Sequence, residues 1–107
     1  MSNDIRRYVA VVLKERGKPY LATVPDFGAC FSTGKTIEEA KAGLPDALAL
    51  HIDGMKAGGL PLPSPRSRAA VLAAVHEPTI TDYVIEVDQE DIATVRAAPR
   101  RDTTRTR

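Results

Sequence analysis

A single cysteine, no tryptophan and 5% aromatic residues leave this chain of 107 residues without several common devices. One cysteine excludes an internal disulfide framework and any multi-cysteine zinc site, and it fits a reducing compartment. No run approaches the ~18–20 apolar residues of a membrane span. The start, Met1 to Arg7, leads into only Tyr8–Leu13, too short a core for a secretory signal. A cytoplasmic location is expected. The length suits one domain rather than two. A chain of this size buries about 60–70% of its unfolded surface, so neither disulfide nor metal is needed for folding.

The net charge of +1 hides an uneven distribution. Residues 96–107 hold Arg96, Arg100, Arg101, Arg105 and Arg107 against Asp102 alone, which gives +4 and leaves −3 for residues 1–95. Between Glu77 and Asp91, six acids (Glu77, Asp82, Glu86, Asp88, Glu90, Asp91) meet no base. A mildly acidic body with a basic tail is not the profile of a domain whose folded surface grips nucleic acid.

Arg6–Lys14 reads as a strand with apolar residues on both faces, covered on both sides by the chain or on one side by a second subunit. Glu15 to Pro19 is a polar turn, and Tyr20–Val24 a second strand ended by Pro25, which cannot donate to an interior ladder. Asp26 to Ala29 is a loop, and Cys30–Thr33 a brief third strand with Phe31 facing the helix that follows. In that helix Thr36 is the N-cap and Glu39 its capping-box partner, reaching back to the amide of residue 36. At ~100° per residue, Ile37, Ala40, Leu44, Ala47, Leu48, Ile52 and Met55 share one face. Gly58-Gly59 supply the C-terminal cap. Pro45 predicts a kink or two shorter helices, since an interior proline costs about 3 kcal/mol. Beyond the extended, proline-rich Leu60–Pro65, Ser64 caps a short helix through Val75 that Pro78 closes. Asp82–Val87 is a last strand with Tyr83, Ile85 and Val87 on one face, and Asp88 caps one turn through Ile92 and Val95. Residues 1–95 form the domain; 96–107 read as a basic, disordered tail.

The stretch Tyr8 to Ser64 resembles the HicB family of antitoxins, from the HicA–HicB toxin–antitoxin systems of bacteria and archaea. The pattern is Val24-Pro25-Asp26, a short loop, Cys30, then Gly34-Lys35-Thr36-Ile37-Glu38-Glu39-Ala40, the Ala47-Leu48 helix segment and the exit Leu60-Pro61-Leu62-Pro63-Ser64. The resemblance implies an α+β fold of truncated ribonuclease-H-like type (β-β-β-α-β). A small antiparallel meander of three to four strands would carry one long, kinked helix on one face. It implies a domain that binds and neutralises HicA, a small basic toxin that cleaves messenger RNA. Many members append a helix-turn-helix or ribbon-helix-helix module. Gly28-Ala29-Cys30 stands here where the family usually reads Pro-Gly-Cys, Lys35 where an acid is common, and about twenty residues follow Val87, too few for a helix-turn-helix.

Each candidate site has a plain alternative. Hydrolysis by two metal ions needs carboxylates clustered so that the ions sit ~3.5–4 Å apart. Asp26, Glu38, Glu39 and Asp82 are the available acids, and capping explains Glu38 and Glu39 as well. Cys30 lacks a placed base and reads as a small hydrophobe; His51 falls on the apolar side of the helix as a partly buried imidazole. Phe27 is either an exposed anchor or tucked onto the sheet. The arginine tail either follows DNA or RNA phosphates or is simply solvated. The expectation is a protein-binding antitoxin with no catalytic residue, metal or cofactor. Its partner contacts are Asp26, Phe27, Asp82 and Glu86, and its homo-oligomer contacts Val9, Val11 and Leu50. The alternatives are a metal-dependent nuclease and an orphan oligomerising domain.

Overall fold

β-Prone segments separated by glycine and proline produce three antiparallel strands, β1 (Ile5–Lys14), β2 (Tyr20–Thr23) and β3 (Phe31–Gly34). The computed structural model describes residues 5–28, 30–88 and 95–97. Gly17 takes φ +79° in the β1–β2 turn, a conformation other residues rarely adopt. β4 (Thr79–Asp88) pairs with the other side of β1 from Ile5↔Asp88 to Leu13↔Thr79, with one irregularity at Val12/Leu13.

A fifth strand, β5 (Val95–Ala97), pairs with β4 through Val87↔Val95 and completes a sheet of order β3-β2-β1-β4-β5. The expectation of three to four strands was therefore one short. Val95, expected in a capped turn, is instead a strand residue. Its buried side chain gains more against the core than a single turn offers. Residues 89–94 of that expected turn, and 98–107 of the expected tail, lie outside the described residues, and β5 straddles the 95/96 boundary.

One helix, α1 (Ile37–Ala57), covers one face of the sheet. Thr36 Oγ1 accepts from the Glu39 amide at 3.0 Å, while the Glu39 carboxylate accepts from Lys35 N at 2.9 Å, one residue earlier than the capping box requires. At the other end Gly59 (φ +74°) lets Leu60 N donate to Met55 O and Gly59 N to Lys56 O, a Schellman motif. Ala40, Leu44, Leu48 and Ile52 are buried on the expected stripe. The helix is continuous through Pro45, so it does not divide in two. Leu44 and Leu48 on either side of the proline each gain about 2 kcal/mol by burial. Together they outweigh its ~3 kcal/mol penalty.

The opposite face is covered from within the chain. After an extended segment, α2 (Arg68–Ala74) is capped by Ser67, whose Oγ accepts from Ala70 N at 3.1 Å. Ser64 does not cap it, because Asp26 holds the Arg66 amide and keeps the chain extended past Pro65. Val71 packs on Val9 and Val11, with Leu13, Leu72 and Val75 around them. Val9 and Val11, expected to meet a second subunit, are thus buried under α2 of the same chain.

Candidate partner-binding surface

Pro25 opens a single 3₁₀ turn, Pro25–Phe27, that directs its two candidate residues inward. Phe27 is 8% exposed, with its ring edge-on to Tyr8 at 4.7 Å and to His51 at 6.0 Å. It is a core residue and not an exposed anchor. The Asp26 side chain is only 1% exposed and accepts from Arg66 N at 3.0 Å and from Arg66 Nε. Both residues were expected to touch a partner, and both serve the fold. Asp26 ties down the strap between α1 and α2, whose Pro63 carbonyl also accepts from Tyr8 Oη at 2.8 Å and from Arg6 at 3.1 Å.

The other two expected contacts lie on the outward face of β4. Asp82 accepts two bonds from Arg68, at 2.7 and 3.0 Å, and this pairing raises the arginine's already high pKa. Glu86 accepts from Arg7 Nε at 3.2 Å. In each pair the arginine is the more exposed member, at 67% and 62% against 21% and 11%. Alternation puts Val84 between the two carboxylates, partly exposed. The result is a mixed-charge patch rather than a negative one. Sequence reasoning missed Arg7, Arg66 and Arg68, because their partners lie 79, 40 and 14 residues away.

The remaining candidates separate cleanly. Among the described residues no group of three or more His, Cys, Asp or Glu is placed to hold a metal ion. Cys30 is buried, and burial pushes its thiol pKa up, away from nucleophilic character. Phe31, expected under α1, is 54% exposed: its register with Thr23, and through Thr23 with Val11, puts it on the α2 side. Leu50 is 75% exposed on α1. No helix among the described residues is long and apolar enough to cross a membrane.

Tyr83, on the α1 side of β4, has a buried hydroxyl without a hydrogen-bond partner among the described residues, and Lys41 Nζ lies 4.4 Å above its ring. Burial raises its pKa from 10.0 to about 12. The protonated phenol is the form the fold tolerates, so stability is retained at neutral pH and lost as pH rises through that value. Tyr83→Phe removes the orphan hydroxyl and should stabilise the protein by about 1 kcal/mol. Urea unfolding, with the phenolate absorbance followed against pH in both proteins, checks this.

The family model for HicB-like antitoxins of bacterial toxin-antitoxin systems matches residues 8–102. The chain belongs to this family. Two structures of the HicB antitoxin of Burkholderia pseudomallei share the fold of this HicB-like chain. The N-terminal domain is 24% identical with a TM-score of 0.59, covering 77% of this chain and 98% of that one. The longer structure is 23% identical with a TM-score of 0.62, covering 94% and 75%. A HicA3–HicB3 toxin-antitoxin complex contains a chain 26% identical, with a TM-score of 0.52, covering 64% of this chain and 79% of that one. A curated relative, an uncharacterized 14.9 kDa protein of Haemophilus phage HP1, is 30% identical over 73 residues, 68% of this chain. This chain spans about half of that relative's length (53%). Membership supports an antitoxin role and the truncated ribonuclease-H-like fold.

Proposed function

We propose that this antitoxin binds a HicA-type, mRNA-cleaving toxin directly and neutralises it by occlusion, breaking no bond itself. The observation that carries this reading is the family match over residues 8–102. A relative found in a toxin-antitoxin complex adds to it. The destinations of the acids also favour binding over hydrolysis: Asp26 is held by Arg66, and Asp82 by Arg68. A toxin that binds RNA needs a positive surface, and the net −3 of residues 1–95 steers such a partner towards this domain.

Asp82, Val84 and Glu86, with Arg68 and Arg7 above the carboxylates, form the toxin contact in this reading. Asp82 pairs with the exposed Arg68 near the surface, where an ion pair contributes little to the free fold, so this carboxylate can exchange its arginine for a cation of the toxin at small cost, whereas Glu86 is buried and keeps Arg7. Co-expression of this chain with a HicA-type toxin should restore the growth that the toxin arrests. Val84→Glu combined with Asp82→Ala should weaken association by about tenfold while leaving the far-ultraviolet spectrum unchanged. Failure of the wild-type chain to associate or to restore growth would contradict the reading.

A further inference from the structure

Where the β1–β2 turn meets the entry to β4, the surface opens into a cavity of about 360 Å³. Its origin is local. The register of β1 with β4 shifts between Val12 and Leu13, and such an irregularity bends the paired strands. Because α2 ends at Ala74, Leu13 and its cross-strand partner Leu21 are only half-buried. With Pro19 they form an apolar floor. The volume lies within the ~300–1,000 Å³ range of small-molecule sites.

Charged groups of both signs stand around that floor. Lys18 and Glu15 pair at 3.0 Å, but both side chains are well exposed, at 69% and 51%, so the contact is weak and exchangeable. Lys14 also lines the cavity, yet its ammonium is engaged, donating to Glu15 O at 3.0 Å and lying 5.5 Å from the Tyr20 ring centroid. Glu77 stands in the connection between α2 and β4. It is exposed and has no ion-pair or hydrogen-bond partner among the described residues. The two lysines and two glutamates of the cavity cancel in charge. A simple anion would face both carboxylates there, and a simple cation both ammoniums.

We propose that this cavity binds a free α-amino acid with an apolar side chain. The side chain covers Leu13, Leu21 and Pro19, the ammonium pairs with Glu77, and the carboxylate takes Lys18 from Glu15. Glu15, released from its lysine, turns to the same ammonium, so a zwitterion leaves every charge matched. The apolar floor selects an aliphatic or aromatic side chain over glycine. The bound amino acid stabilises the folded chain by mass action. No residue of the cavity belongs to the proposed toxin contact, so ligand binding and neutralisation are read separately.

Titration of the isotope-labelled full chain with L-leucine, followed through its amide NMR shifts, tests this directly. Leucine should bind saturably in the millimolar range, shifting the amides of Leu13, Lys18, Leu21 and Glu77 together. Glycine, N-acetylleucine and leucinamide each lack one of the three recognised groups and should bind at least about tenfold more weakly. Glu77→Gln should weaken leucine by about tenfold and leave N-acetylleucine unchanged. Lys18→Gln should weaken leucine and leave leucinamide unchanged, with the circular dichroism spectrum of both variants intact. Equal binding of leucine and N-acetylleucine would make the occupant an apolar side chain of a polypeptide and overturns the proposal. So does a lack of saturable shifts up to about 50 mM leucine, or leucine binding indifferent to both variants.

Discussion

Gly34→Ala is expected to destabilise the domain by about 3 kcal/mol, a large effect for a half-buried residue at a strand end. A carbon added there would lie 2.5 Å from Glu39 Cβ, 2.6 Å from Ala40 N and 2.8 Å from the Glu39 carbonyl carbon. Two of those neighbours are backbone of the first helical turn, which cannot swing aside as a side chain can. The helix start would have to lift, stretching the Thr36–Glu39 and Lys35–Glu39 hydrogen bonds and loosening Ala40 and Leu44 from the sheet. Urea unfolding measures the cost. A loss below about 1 kcal/mol would mean that α1 sits further from β3 than described.

The second large effect belongs to Asp26→Ala, at about 2–3 kcal/mol. The carboxylate is buried and holds both the amide and the guanidinium of Arg66, so its loss removes two charge-assisted hydrogen bonds and frees the strap that carries α2. The value is kept below that of a fully buried ion pair because Arg66 is 43% exposed and water can replace part of the contact. Hydrogen exchange should rise first in β1 at Val9 and Val11, which α2 covers. An unchanged melting curve and unchanged exchange would show that the strap is held by Tyr8 and Arg6 alone.

Features encoded by neighbours in sequence were legible. Thr36 and Glu39 announce the helix start, Gly58-Gly59 its end, and the Ile37-to-Met55 stripe the face it buries, because helical periodicity needs only local information. Strand faces were more fragile. The period of two puts adjacent residues on opposite faces, so Cys30 as a small buried hydrophobe and Phe31 facing the helix could not both hold; Cys30 is the buried residue and Phe31 the exposed one. The candidate contacts were least legible. Whether Asp26, Asp82 or Glu86 faces solvent depends on arginines far away in sequence, and no spacing rule brings Arg66 to Asp26. Val9 and Val11 carried the correct signal, a strand buried on both faces, yet only the structure says that α2 provides the second cover. β5 escaped because three residues leave too short an alternation to recognise.

Titrating purified toxin with purified antitoxin, while following the cleavage of a defined RNA, separates occlusion from hydrolysis most directly. Cleavage should fall linearly and stop near one antitoxin chain per toxin, and the antitoxin alone should leave the RNA intact with magnesium or manganese present. RNA cut by the antitoxin itself, or toxin activity undiminished under a molar excess of it, would contradict the assignment of this chain as a protein that works by covering another.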